Sequence, residues 1–131
     1  MIEPAFSLPV RVYYEDTDAA GVVYYANYLR YLERARTEWL ASIGYPLTEL
    51  ERVHGIVFVV RRIEVDYRLP ARLSDALEVT VAIKTLGRAS LTVEQEVRRS
   101  DRPLVTARVM LACVDRERFK PARIPVSLKA P

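Results

Sequence analysis

Three carboxylates, Glu15, Asp16 and Asp18, stand directly ahead of a small turn, Ala19-Ala20-Gly21, and an aromatic segment, Val22-Val23-Tyr24-Tyr25-Ala26-Asn27-Tyr28. An amphipathic helix follows. That order sets an acid near the amino end of a helix, where unpaired main-chain N–H groups and the helix dipole favour negative charge. A carboxylate beside an oxyanion-binding helix end suits acyl transfer. The same residue types are also ordinary capping acids, so chemistry alone leaves both readings open.

Other reactive side chains are few. His54 is the single histidine and stands beside Gly55 in an expected loop, which argues against a Ser-His-Asp triad or a His-based dehydratase. Cys113, the single cysteine, falls on the apolar phase of a strand and reads as a buried structural thiol. Glu33 lies on the polar side of the helix beside Arg30 and Arg34, where a surface ion pair is the expectation. Arg36 falls toward the apolar flank, from which its long side chain can snorkel, and reads as structural. No metal-ligating constellation and no Gly-rich phosphate loop is present, so no metal or cofactor is expected.

The elements that must position these groups are readable from periodicity. Val10, Val12 and Tyr14 alternate with Arg11, Tyr13 and Glu15 as a short strand. Tyr28, Leu32, Ala35, Trp39 and Ile43 share one helix face; the helix starts between Tyr24 and Tyr28 and stops at Gly44 and Pro46. Four period-two runs follow: Ile56 to Leu69, then runs centred on Val79–Val81, Val93–Gln95 and Val105–Cys113. Gly87-Arg88-Ala89 and Ser100-Asp101-Arg102-Pro103 are short enough for hairpins, so the last three strands form an antiparallel meander. The proline-bearing tail (Pro121, Pro125, Pro131) reads as coil. One apolar-faced helix and about five antiparallel strands make an α+β domain with the helix on one sheet face. The aromatic-rich strand near Phe58 is a candidate for edge pairing in a dimer.

Composition limits the function classes. At 131 residues the chain is one domain (core about 8–118), half apolar and 28% charged, as in globular proteins. No apolar run reaches the ~18–20 residues of a membrane span. Glu3 and Pro4 replace the basic and apolar regions of a secretory signal, and one cysteine excludes an intramolecular disulfide framework; cytoplasmic residence is the simplest reading. Charge is uneven, −3 over residues 1–60 and +6 over 61–131. A mildly basic second half can receive a phosphorylated ligand, without the dense, aromatic-interleaved clusters of a polynucleotide binder.

The motif Glu15-Asp16-Thr17-Asp18-Ala19-Ala20-Gly21-Val22-Val23-Tyr24-Tyr25-Ala26-Asn27-Tyr28, the helix with Glu33-Arg34-Ala35-Arg36-Thr37-Glu38, and the later segments Phe58-Val59-Val60-Arg61-Arg62, Pro70-Ala71-Arg72-Leu73-Ser74-Asp75 and Cys113-Val114-Asp115 carry a family resemblance. Over roughly residues 8–125 the chain resembles the hotdog-fold acyl-CoA thioesterases of the 4-hydroxybenzoyl-CoA thioesterase-like group. Within it, the chain is most similar to the bacterial thioesterases associated with the Tol–Pal envelope system. The resemblance implies a helix wrapped by a curved five-stranded antiparallel sheet, and dimers that often assemble into tetramers, with active sites at the dimer interface. It implies Asp18 as nucleophile or general base and the Tyr25 main-chain N–H as oxyanion donor. Tyr24 borders the site, and the Arg88-Ala89-Ser90 turn lies near the coenzyme A phosphates. In the Tol–Pal-associated proteins the position of Tyr25 is often histidine. Tyrosine here keeps the main-chain role but not a side-chain acid–base one, and leaves the acyl class, short aliphatic or aromatic, open. An acyl-CoA substrate is implied, with acyl carrier protein or phospholipid-synthesis enzymes as further partners and no nucleic acid. The rival readings are a non-enzymatic acyl-CoA or acyl-carrier binder or scaffold, and a hotdog acyl dehydratase.

Overall fold

The computed structural model describes residues 6–125. Five strands form one antiparallel sheet: β1 (Phe6–Arg11), β2 (Ile56–Tyr67), β3 (Ala76–Leu86), β4 (Ser90–Arg99) and β5 (Arg102–Asp115), in the order β1-β3-β4-β5-β2. The expected meander β3–β4–β5 forms the centre, and β2 returns to pair with β5 as an edge. Register breaks at Val60/Arg62, Ile83/Thr85 and Val97/Arg98 mark bulges or irregularities, which bend strands and increase local twist. The sheet curves round the helix.

That helix, α1 (Asn27–Ser42), turns Tyr28, Tyr31, Leu32, Ala35, Trp39 and Leu40 into the sheet. Arg30, Glu33, Arg34 and Glu38 face outward. Its end is a Schellman motif: Gly44 N–H donates to the Ala41 carbonyl (3.1 Å) and Tyr45 N–H to the Leu40 carbonyl (2.8 Å). Gly44 has φ +95°, a left-handed value that a side chain resists. The facing strand positions Leu77, Val79, Val81, Leu91, Val93, Val97, Val105, Val109 and Cys113 are buried, and with the helix stripe they form one core. The α+β hotdog architecture expected from the sequence is borne out.

Three local expectations need correction. The first strand ends at Arg11, and Tyr14–Asp16 form a 3₁₀ turn with Tyr14 83% exposed, because the Asp16 carboxylate takes the Tyr13 N–H and curls the chain out of the sheet. Ile43 caps the helix and is exposed rather than joining the buried stripe. A short second helix, α2 (Leu47–Arg52), went unread; six residues carry too little periodicity, and only Leu50 is buried. Beyond β5, Ile124 is fully buried and its N–H donates to the Arg88 carbonyl (2.7 Å). Pro121 forms an isolated bridge with Val114 and residues 122–125 are coil, as expected, while residues 126–131, with Pro131, lie outside the described residues.

Candidate active site

The acid-bearing segment folds as a small hairpin held by its own backbone. Thr17 pairs with Val23, Asp18 N–H donates to the Val22 carbonyl (2.9 Å), and Gly21 N–H donates back to the Asp18 carbonyl (3.0 Å). Gly21 has φ +78°, which only a residue free of Cβ adopts without strain. One Asp18 carboxylate oxygen accepts the Ala20 N–H (2.9 Å), the self-bracing of an Asx turn. Asp18 is exposed at the tip of this hairpin and lines none of the described clefts.

The hairpin is clamped on two sides. Toward the helix, the Asp16 carbonyl accepts the Tyr24 N–H (3.0 Å) and the Asn27 side-chain amide (2.9 Å). Toward the β2–β3 loop, Val23 N–H donates to the Ala71 carbonyl (2.9 Å), while Ala71 N–H donates to the Tyr28 hydroxyl (2.9 Å). That loop is itself closed by Asp75, which accepts from the Arg72 N–H (2.8 Å) and the Arg99 guanidinium (2.7 Å). Burial raises the Asp75 pKa, but these two donors outweigh it and hold the acid below its ordinary value. Between the clamps runs the turn Tyr24–Asn27, closed by Asn27 N–H to the Tyr24 carbonyl (2.8 Å). At its centre the Tyr25 N–H meets no acceptor among the described residues.

Beside this N–H opens a cleft of about 260 Å³ lined by Val23, Tyr25, Tyr28, Tyr67, Leu69 and Pro70, with Arg68 as its one charged lining residue. The Tyr25 and Tyr67 rings meet edge-on (centroids 6.1 Å, 86°), and Tyr28 lies 5.7 Å from Tyr67. Tyr24, the expected border residue, is exposed with its ring 4.9 Å from Tyr25. Burial raises the Tyr28 and Tyr67 hydroxyls, and a hydrogen bond with the Tyr25 hydroxyl raises Tyr24, so these three phenols stay protonated at neutral pH. Behind them Tyr31 is fully buried without a hydrogen-bond partner for its hydroxyl, and its pKa is raised by burial first and by the Asp16 carboxylate second. An aromatic wall, an available N–H at a helix start and a loop-borne carboxylate are the parts acyl transfer uses.

The sequence profile of the thioesterase-like superfamily matches residues 12–131, nearly the whole chain. The chain belongs to that superfamily. It is 42% identical to the acyl-CoA thioesterase YbgC of Haemophilus influenzae over 130 residues, covering 99% of this chain and 96% of that one. It is 43% identical to the acyl-CoA thioester hydrolase YbgC of Escherichia coli over 126 residues, covering 95% and 93%. The crystal structure of a probable thioesterase from Bartonella henselae superposes with TM-score 0.88 at 39% identity, over 92% of this chain and all of that one. The resemblance to the Tol–Pal-associated group is borne out through its YbgC members, and this thioesterase-family chain is an enzyme of thioester hydrolysis.

Of the residues expected from the sequence, Tyr24 and Tyr25 stand at the loop–helix junction, Asp18 stands at the tip of the hairpin that leads into it and outside the described clefts, and Arg88 and Ser90 lie elsewhere. These two are exposed on the β3–β4 turn, and Ser90 lines a separate cleft with Arg61 and Pro121. Glu33 and His54 are exposed, outside the junction. Cys113 is buried in β5, which pushes its thiol up to about 11. Arg36 does not snorkel. It is buried and donates to Gln95 Oε1 (3.0 Å), while the Gln95 amide donates to the Leu32 (3.1 Å) and Thr80 (3.2 Å) carbonyls. Sequence reasoning passed over Gln95, Tyr67 and the Ala71 loop. Gln95 carried a signal as a polar residue on the inward phase of an otherwise apolar strand, and the Ala71 loop carried one only as a segment of the family resemblance. Among the described residues no cluster of acids, His and Cys could hold a metal, and no helix is long and apolar enough to cross a membrane.

Proposed function

We propose that the chain hydrolyses acyl-CoA thioesters, with the carbonyl oxygen on the Tyr25 N–H and Asp18 as the reacting carboxylate. The observation that carries this is the Tyr25 N–H without an acceptor at the start of α1, joined through the Asp16 carbonyl to the hairpin that bears Asp18. The acyl group enters the cleft of Tyr25, Tyr28 and Tyr67. The N–H and the helix dipole draw electron density toward oxygen, and Asp18 attacks the carbonyl carbon or takes a proton from the water that does. If Asp18 attacks, the coenzyme A thiolate leaves an acyl-aspartyl anhydride that water then cleaves. If water attacks, the thiolate leaves directly. Either route consumes one water and yields the free acid and coenzyme A.

A single copy does not complete this site, which fits a homo-oligomer. Strand β2 is a twelve-residue free edge, and Val60, at its middle, is 49% exposed. Long apolar edges of this kind are pairing surfaces. Antiparallel pairing of two copies about the middle of β2 sets Tyr67 of one opposite the Ile56 end of the other. That pairing draws Arg88 and Ser90 of the partner subunit toward the cleft, where a guanidinium suits the coenzyme phosphates. Cytoplasmic residence accords with a lone, buried thiol.

The test is thiol release from a panel of short aliphatic and aromatic acyl-CoAs, comparing wild type with Asp18→Asn. Buried Cys113, its pKa near 11, does not consume the chromogenic reagent. Hydrolysis by a folded Asp18→Asn protein is expected to fall roughly 10²–10⁴-fold. Wild-type rates in that variant would end this reading.

A further inference from the structure

We infer that Asn27 is the positioning residue that holds Asp18 and the Tyr25 N–H in one working geometry; the inference rests on the acyl-transfer reading above. Among the described residues, Tyr24 joins the two halves of the site through its main chain, and Asn27 joins them with a side chain. The Asn27 main-chain N–H closes the Tyr24–Asn27 turn on the Tyr24 carbonyl (2.8 Å), which aims the Tyr25 N–H. Its side-chain amide donates to the Asp16 carbonyl (2.9 Å), two residues before Asp18.

That carbonyl also receives the Tyr24 N–H (3.0 Å), so two donors fix a single oxygen where the strand enters the hairpin. Asp16 is anchored further upstream by its own carboxylate on the Tyr13 N–H (2.9 Å). An asparagine at a helix start commonly turns its side-chain oxygen to a free N–H one turn ahead. Here no side-chain cap is made at the start of α1, and the amide of Asn27 reaches back eleven residues instead. The side chain is half-buried and lines none of the described clefts, so it governs geometry rather than ligand binding. Without it, the carbonyl keeps one donor, the Tyr24 N–H, and the Asp18 hairpin loses a side-chain hydrogen bond to the helix.

Three substitutions test this by kcat and KM measured separately, with folding checked by circular dichroism. Asn27→Leu removes the donor at similar size, and Asn27→Asp sets an oxygen against the carbonyl oxygen. Both are expected to lower kcat roughly 10- to 100-fold, the effect of a displacement of about 1 Å, with KM within about threefold of wild type. Asn27→Gln keeps an amide donor on a longer arm and recovers part of the rate. If Leu and Asp variants keep kcat within about twofold, or if Gln is no better than Leu, the assignment is overturned. Should Asn27→Leu fail to fold, the Asp and Gln variants, closer to asparagine in polarity, decide between the same outcomes. Asp18→Asn in the same assay separates the two levels of argument. If Asp18→Asn is as active as wild type, the acyl-transfer reading falls. If it is inactive while the Asn27 variants match wild type, only the role of Asn27 falls.

Discussion

Helix α1 is fastened at two places by opposite means. At its start, main-chain groups do most of the work: Tyr24 and Val23 N–H groups on the Asp16 and Ala71 carbonyls, beside the exposed Tyr24 and Tyr25, with the Tyr25 and Ala26 N–H groups left over among the described residues. At its middle, buried side chains do it: Arg36 on Gln95, and Gln95 on the Leu32 and Thr80 carbonyls, with Gln95 only 1% exposed. The interior junction gives Gln95 a partner for each end of its amide because an unpaired polar group there is costly. The exposed junction can leave a donor unpaired because water satisfies it until a ligand does. Chemistry is therefore available at the first junction, and stability concentrated at the second.

Swapping the Tyr25 main chain is the strongest way to break this contrast. Proline suits the second position of the Tyr24–Asn27 turn, so Tyr25→Pro deletes the N–H while keeping the bend. We expect kcat for acyl-CoA hydrolysis to fall roughly 10²–10³-fold, against a small change in Tyr25→Phe. Equal activity of the two variants would show that the N–H does nothing. At the interior junction, Gln95→Leu strands a guanidinium whose pKa burial already lowers, Glu33 opposing. The expected loss is roughly 1.5–3 kcal/mol in urea unfolding, partly recovered by adding Arg36→Met, which removes the buried charge. An unchanged unfolding midpoint in Gln95→Leu would mean that the network contributes nothing.

Gly21→Ala probes the hairpin more gently. A Cβ there meets open space, so only the positive φ resists it, at roughly 1–2 kcal/mol. A melting temperature equal to wild type would show that the hairpin relaxes freely. The smallest effect concerns the Asp75 clamp. Its folded pKa lies below the unfolded value, so its contribution is present above about pH 4 and lost as pH falls through the folded value. Asp75→Asn should lower the melting temperature at neutral pH, and the gap to wild type should narrow as pH falls below about 4. Parallel curves would remove Asp75 from the acid dependence.

Legibility followed the same division. The helix was read from Tyr28, Leu32, Ala35 and Trp39, and its end from Gly44, because both signals are local. The central meander followed from alternation and short turns. Tyr67 and Ala71 were invisible as site neighbours: each lies some forty residues from the motif, and only sheet closure brings them beside it. Gln95 was read as part of an apolar alternation, since its phase was right and only its polarity was not. Arg88 and Ser90 came from family resemblance, and in one folded copy neither lines the Tyr25 cleft.

The amino-acid order alone determined the helix, the meander and an acid placed shortly before a helix start, because periodicity, turn residues and capping act over a few neighbours. Tertiary structure decided which N–H is left without an acceptor, which aromatic rings wall the cleft, and that a buried arginine finds a glutamine rather than water. Those outcomes depend on hydrogen bonds and packing between segments far apart in the chain, and such partners exist only once the sheet has closed round the helix.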